Sequence, residues 1–229
     1  MTDRLWITDP ARTTCLAEVV EVRGNEFRVD KALFAPRSRA CRHPQNHDKG
    51  TVWMDGEKRR LHSVRDNGDV WYGLRGTTPN VGQTLQCQLD QDTRQEASRA
   101  HTAMHLVMQH VDVPLLEDPE VKGGGHFRLT YAWPVDVEPA MQQAVQQVQA
   151  DMLVERTYAT RAAEKYVSKQ HFQPPDPVPG PELLPLVKIG DHCVPCDGSH
   201  VDRTGRISGI QLRHAATGKS GFVVSCRVT

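Results

Sequence analysis

The rhythm of hydrophobic and polar positions changes once along the chain. Up to about residue 89 it is the rhythm of strands. Residues 16–22 (LAEVVEV) are rich in β-branched side chains and partly alternate, the turn Arg23-Gly24-Asn25 follows, and residues 26–30 (EFRVD) alternate strictly. These two runs predict a hairpin. Residues 51–54, 69–74 and 81–89 read as further short strands separated by Gly and Asp turns. Five or six short strands at such spacing predict a small β-barrel over residues 1–89. From residue 90 to about 111 there is no Gly or Pro, and Ala97, Ala100, Met104, Val107 and Met108 recur at helical steps. A second helical run is predicted from 139 to about 168, on Val145, Val148, Met152 and Leu153. Residues 174–181 (PPDPVPGP) can only be a stiff extended connector. Strand-like pieces follow at 186–189, 207–212 and 221–225. Segregated helices and strands make residues 90–229 an α+β domain.

Composition narrows the partners. Among the 229 residues, 28 Lys and Arg balance 28 Asp and Glu. A zero net charge excludes holding nucleic acid by bulk electrostatics and requires a local patch or a transient encounter. There is no run of apolar residues long enough to cross a membrane as a helix, and the first residues lack the basic-then-apolar order of a secretory leader. A cytoplasmic protein is expected. Its 6 cysteines then read as thiols or metal ligands rather than a disulfide frame.

The candidate chemistry lies in the 11 histidines. His101 and His105 stand at i and i+4 on the first predicted helix, so both imidazoles share one face, about 6 Å apart along the axis. Alone the signal is weak, because such a pair is more often a solvated helix face. Far downstream, Cys196-Asp197-Gly198-Ser199-His200 offers a thiolate and an imidazole around a glycine turn. Three imidazoles and one thiolate form a donor set suited to tetrahedral zinc, and the long separation places such a metal inside a folded domain rather than in a finger.

The two motifs together, HTAMH and CDGSH, resemble the HxxxH and CxxxH motifs of the editing domain of alanyl- and threonyl-tRNA synthetases. The chain as a whole resembles the freestanding form of that domain, the AlaX-type alanyl-tRNA editing family. The likeness extends to Asp9-Pro10, residues 19–26 (VVEVRGNE), residues 90–106, Ile189-Gly190-Asp191 and residues 204–207 (TGRI). The resemblance implies a barrel followed by a zinc-containing α+β editing domain. It implies an ATP-independent trans-editing hydrolase of translation fidelity that deacylates Ser-tRNA(Ala) or Gly-tRNA(Ala). The zinc ligands would be His101, His105, Cys196 and His200, and the partner tRNA(Ala), with a monomer expected. Asp197, the carboxylate beside these motifs, takes a supporting catalytic role. Met104 and Val121 fall where the family reads the serine hydroxyl, and Gly123 and Gly124 lie beside them at the substrate. The family's Gly-rich segment after the second strand is replaced by a basic loop, whose Arg37, Arg39 and Arg42 are the candidate RNA contacts, the alternative being an ordinary exposed loop. Arg128-Leu129-Thr130-Tyr131 lacks the Asp of the family's corresponding strand.

Several readings stay open. The apolar Met104 and Val121 favour a hydrolase for a different aminoacyl ester; intact ligands also fit a non-catalytic RNA-binding module with structural zinc. Cys193 and Cys196 form a CxxC that reads as a redox pair, as an alternative ligand, or as a core thiol beside a ligand. His43 and His47, with Cys41, form a second zinc site or a solvated loop. Gly123-Gly124-Gly125 is a backbone cradle for a phosphate or terminal adenosine, or a plain turn. His110, His126, His171, His192 and His214 have no partner motif and read as structural or surface residues.

Overall fold

A computed structural model describes residues 2–36, 47–66, 68–160, 183–196 and 198–229. Its elements run, in chain order, β1 (Asp3–Arg4), α1 (Leu5–Thr8), β2 (Thr14–Arg23), β3 (Glu26–Val29), β4 (Lys31–Ala32), β5 (Gly50–Met54), β6 (Glu57–Asp66), β7 (Val70–Leu74), β8 (Thr84–Leu89), α2 (Gln91–Met108), β9 (Glu120–Lys122), β10 (His126–Tyr131), α3 (Glu138–Gln149), β11 (Val154–Thr160), β12 (Leu183–Ile189), β13 (His192–Pro195), β14 (Ile210–Gly218) and β15 (Gly221–Val228). The chain divides into two compact units between Arg94 and Gln95, within α2.

The first unit is a closed barrel with strand order β2-β3-β7-β6-β5-β8. Alternation produces it: the inward positions of β2 and β8, Cys15, Ala17, Val19, Leu85, Cys87 and Leu89, are buried, and their neighbours are exposed. The β5–β6 hairpin turns on Asp55-Gly56, both at positive φ. Phe27, Phe34 and Tyr72 fill the interior edge to face, and Tyr72 Oη accepts the Phe34 N–H at 3.0 Å. Gly50 is required where it stands, because a Cβ there would meet the Phe34 ring at 2.2 Å. At one end, Asp48 and Arg94 form a buried pair; the carboxylate takes Arg94 Nε (2.7 Å), Arg94 Nη2 and the Ala35 N–H (2.6 Å).

The second unit is α+β, as predicted. A four-stranded sheet, β14-β15-β10-β9, and a three-stranded sheet, β11-β12-β13, share one apolar core with α2 and α3. The predicted second helix is shorter than its sequence pattern. It ends at Gln149, and Val154–Thr160 is a strand paired with β12. The stop comes from a distant segment. Thr204 Oγ1 donates to Gln147 O at 2.6 Å and accepts the Met152 N–H at 2.8 Å. Asp151, at φ 48°, accepts Arg203 Nε (2.7 Å) and the Gly205 N–H (3.0 Å). A Cβ at Gly205 would strike Asp151 Oδ1 at 2.4 Å, so only glycine lets the segment close this tightly. The connector at 174–181 and the basic loop lie outside the described residues. No helix is long and apolar enough to cross a membrane among the described residues.

Candidate metal centre

Helix α2 supplies half of the site. Asp90 caps it by accepting the Thr93 N–H at 3.1 Å. Its second half is embedded: Ala100, Ala103, Met104, Leu106, Val107 and Met108 are all buried, and His101 and His105 lie among them at 0% exposure. The two rings stack at 5.2 Å and 14°, as i and i+4 side chains on one face must. Two imidazoles taken wholly out of water demand polar partners.

Those partners come from the loop after β13. The β12–β13 pairing carries the chain to Cys196, whose N–H donates to Pro185 O at 2.9 Å. Arg156 of β11 donates from Nη2 to Gly198 O at 2.9 Å, tying the loop to the same sheet. Cys196 Sγ then lies 3.4 Å from His101 Nε2 and 3.2 Å from His200 Nε2, and the His200 ring centroid is 4.4 Å from that of His101 and 5.2 Å from that of His105. Donor atoms of His101, His105, Cys196 and His200 all lie within 4.8 Å of one another. A tetrahedron with zinc–nitrogen and zinc–sulfur bonds of about 2.0–2.3 Å has edges of about 3.3–3.8 Å. The two Cys196 contacts match those edges and the widest donor separation runs about 1 Å beyond them, so the cluster is one that could hold a metal ion and is consistent with zinc.

Thr102 sets the state of one of the four candidate donors. Its hydroxyl donates to Ser98 O at 2.9 Å and accepts the Val201 N–H at 3.3 Å. With its proton so placed, the oxygen faces His200 Nδ1 at 3.2 Å as an acceptor. The His200 proton is thereby drawn to Nδ1, and the Nε2 lone pair is turned toward Cys196 Sγ, the arrangement a metal-binding imidazole needs.

The other candidate residues are placed as follows. Met104 is fully buried within the apolar cluster, and Val121 lies buried on β9 opposite Phe127. Gly123, Gly124 and Gly125 form the β9–β10 turn, in which Gly124 and Gly125 have φ of 75° and 72° and Gly125 O accepts the Val228 N–H at 2.9 Å. Asp197, Arg37, Arg39, Arg42, Cys41, His43 and His171 lie outside the described residues; His47 Nδ1 is 2.8 Å from Asp48 O. Cys193 is a strand residue of β13 outside the four-donor cluster, where burial raises its thiol pKa, and it does not open a helix as a redox pair does. The five described cysteines are free thiols. His110 Nε2 bonds Gln147 Oε1 at 3.0 Å. Three residues that the motifs did not single out belong to the surroundings of the site: Thr102, Arg156 and His192, whose ring is 6.1 Å from that of His105. Thr102 sits inside HTAMH, and only its contacts distinguish it from any other helix residue.

No family model matches the chain. It is 27% identical over 227 residues to an alanine–tRNA ligase of Methanopyrus kandleri, covering 92% of this chain and 24% of the ligase. It is 28% identical over 130 residues to the alanyl-tRNA editing protein AlaX-M of Pyrococcus horikoshii, covering 56% of this chain and 54% of that protein. With AlaX-L of the same organism it shares 26% identity over 229 residues, covering 93% of this chain and 54% of that protein. The chain thus spans about a quarter of the ligase and about half of each editing protein. The likeness first seen in two short motifs extends over most of the sequence: the chain is a homologue of the AlaX-type alanyl-tRNA editing proteins and of the matching quarter of alanine–tRNA ligases.

Proposed function

We propose that the chain is a zinc-dependent hydrolase that deacylates mischarged tRNA, with Ser-tRNA(Ala) and Gly-tRNA(Ala) as substrates, and that it works in the cytoplasm as a monomer. The observation that carries this reading is the convergence of three imidazoles and one thiolate in a homologue of proteins named for alanyl-tRNA editing. His101, His105, Cys196 and His200 would hold the ion, which when bound supplies an acidified water or a polarised ester carbonyl. The protein's own part is positional. Thr102 orients His200, Arg156 ties down the Gly198 carbonyl, and the buried side chains of α2 shield the donors from bulk water. Asp197 takes the supporting acid–base role, Gly123 and Gly124 border the substrate, and Arg37, Arg39 and Arg42 contact the tRNA.

One observation favours a narrower second reading. Met104 and Val121, placed where family members hydrogen-bond serine, are buried and apolar. Leaving the substrate hydroxyl unpaired costs about 1–3 kcal/mol. Serine is then preferred over glycine or alanine less strongly than in a pocket with a polar reader, or a less polar side chain is removed instead. Deacylation rates on Ser-, Gly- and Ala-tRNA(Ala), for the parent, Cys196→Ala, Met104→Thr and Val121→Gln, test both readings. Activity on at least one of these tRNAs, abolished by Cys196→Ala, is expected. Inertness on every aminoacyl-tRNA, with zinc bound, would leave the RNA-binding module with structural zinc. Strong serine selectivity unmoved by Met104→Thr and Val121→Gln would refute the placement of the hydroxyl reader.

A further inference from the structure

Most cations of the first unit are neutralised in place: Arg4, Arg28, Arg65 and Arg94, for example, sit within 3.2 Å of carboxylates of Asp66, Asp69, Glu26 and Asp48. Lys58, Arg60 and Arg75 are different. Among the described residues no carboxylate pairs any of them, and all three are exposed. They also share one face. The β6 alternation turns Lys58, Arg60 and His62 outward while Leu61 points in, and the pairing Leu61↔Leu74 brings Arg75, the next residue, beside Arg60. Arg75 Nε donates toward His62 Nδ1 at 3.4 Å, so His62 lies within this group. On the neighbouring strand, Trp53 pairs with Lys58, whose Nζ stands 5.6 Å from the ring centroid, and Thr51 pairs with Arg60. Beyond β5, the outward residues of β8 are Thr84, Gln86 and Gln88, neutral hydrogen-bonding groups in register with Thr51 and Trp53. The outward positions of β5, β6 and β8 therefore combine uncompensated positive charge, one aromatic ring and amides; the exposed acid at the start of β6, Glu57, is paired with Arg59.

A chain without net charge that holds RNA needs such a patch, because phosphate contacts supply most of the affinity. Unpaired cations beside an aromatic ring and amides suit a polyanion with sugar and base edges better than a carboxylate-bearing protein surface. We propose that this face of the barrel, centred on Lys58, Arg60 and Arg75, docks the phosphodiester backbone of the RNA substrate. The proposal rests on the reading of the chain as acting on tRNA.

The test is the full chain carrying Lys58→Gln, Arg60→Gln and Arg75→Gln together. Binding of labelled, deacylated tRNA is followed by anisotropy across a salt series. Each lost phosphate contact removes about 0.7–0.9 from the slope of log affinity against log salt, so the slope falls by about 2–3 and low-salt affinity by at least about tenfold. Arg12→Gln, Arg23→Gln and Lys31→Gln, which remove the same charge from paired positions, leave the slope near that of the parent. Hydrolysis of a small aminoacyl ester lacking the RNA body stays at the parent rate in the triple variant, and Arg60→Gln alone, lowering the slope by about 1, serves if the triple variant does not fold. Parent-like slope and affinity overturn the docking face. So does loss of binding to polyglutamate with tRNA binding intact, which makes the face a protein contact. If the parent deacylates tRNA and the variants bind as it does, only the docking face fails; if the parent neither binds nor deacylates any tRNA, the functional reading fails with it.

Discussion

Replacing Thr102 by Val keeps the shape of the side chain and removes its oxygen. Three contacts go with it: the acceptor for His200 Nδ1 at 3.2 Å, the acceptor for the Val201 N–H at 3.3 Å, and the donor to Ser98 O at 2.9 Å. The last is the least costly, because a carbonyl in mid-helix keeps the N–H of its own turn. The Val201 N–H is left without its acceptor, at about 1–3 kcal/mol of folding free energy. The His200 imidazole loses the partner that fixes its proton on Nδ1. Removing such an outer partner lowers metal affinity about 10–100-fold, which is about 1.4–2.7 kcal/mol. Thr102→Ser retains the oxygen and restores most of that affinity. Competition for zinc with a chromogenic chelator measures the effect, and thermal unfolding of the metal-free proteins separates it from lost stability. A Thr102→Val protein that holds zinc as tightly as the parent would refute the argument that Thr102 sets the His200 tautomer.

Other expectations follow from single features. Asp48→Asn strands the buried Arg94 guanidinium and places an amide against donors, so it destabilises the protein by about 3–5 kcal/mol in urea unfolding, while Asp48→Leu with Arg94→Met recovers most of the loss; a loss below about 1 kcal/mol for Asp48→Asn contradicts this. The Tyr131 hydroxyl is buried on β10 with no hydrogen-bond partner among the described residues, so Tyr131→Phe raises stability by about 1–2 kcal/mol, and a clear loss of stability means the hydroxyl has a partner. The Arg203 hydrogen bond holds the Asp151 carboxyl below its ordinary value of 3.8. Its contribution is therefore complete above that value and disappears as pH falls through the lowered one. Asp151→Asn removes that part of the acid-unfolding curve, and an unchanged acid limb shows that the ion pair does not contribute.

How much of this was legible in the sequence depended on whether the deciding contacts were local. The β2–β3 hairpin is settled by neighbours, and the alternation of residues 26–30 announced it, whereas β6, whose run of charged residues shows no clear apolar alternation, went unpredicted after the Asp55-Gly56 turn. The i, i+4 histidines needed only that α2 be a helix, and its uninterrupted run of helix formers ensured that. The end of α3 was misread because the apolar recurrence continues through Met152 and Leu153, whereas the stop is imposed by Thr204 and Arg203, more than fifty residues on. Thr102 shows the same limit at the site. Its side chain is one of many in a buried helix until His200 and Val201 arrive, 98 and 99 residues later in the sequence.

The buried Asp48–Arg94 pair has a further meaning when the chain is followed in order of synthesis. Every strand of the barrel is complete at Leu89, and the pair that locks one end is complete at Arg94. All six barrel strands and the pair that locks them therefore precede the second unit in synthesis, so the barrel can close while the rest of the protein is still being translated. The four donors, by contrast, are not all present until His200 is made, and the clip that ends α3 waits for Gly205. On the ribosome, then, the second unit passes through a long interval as a nascent segment whose paired histidines have neither thiolate nor third imidazole to meet.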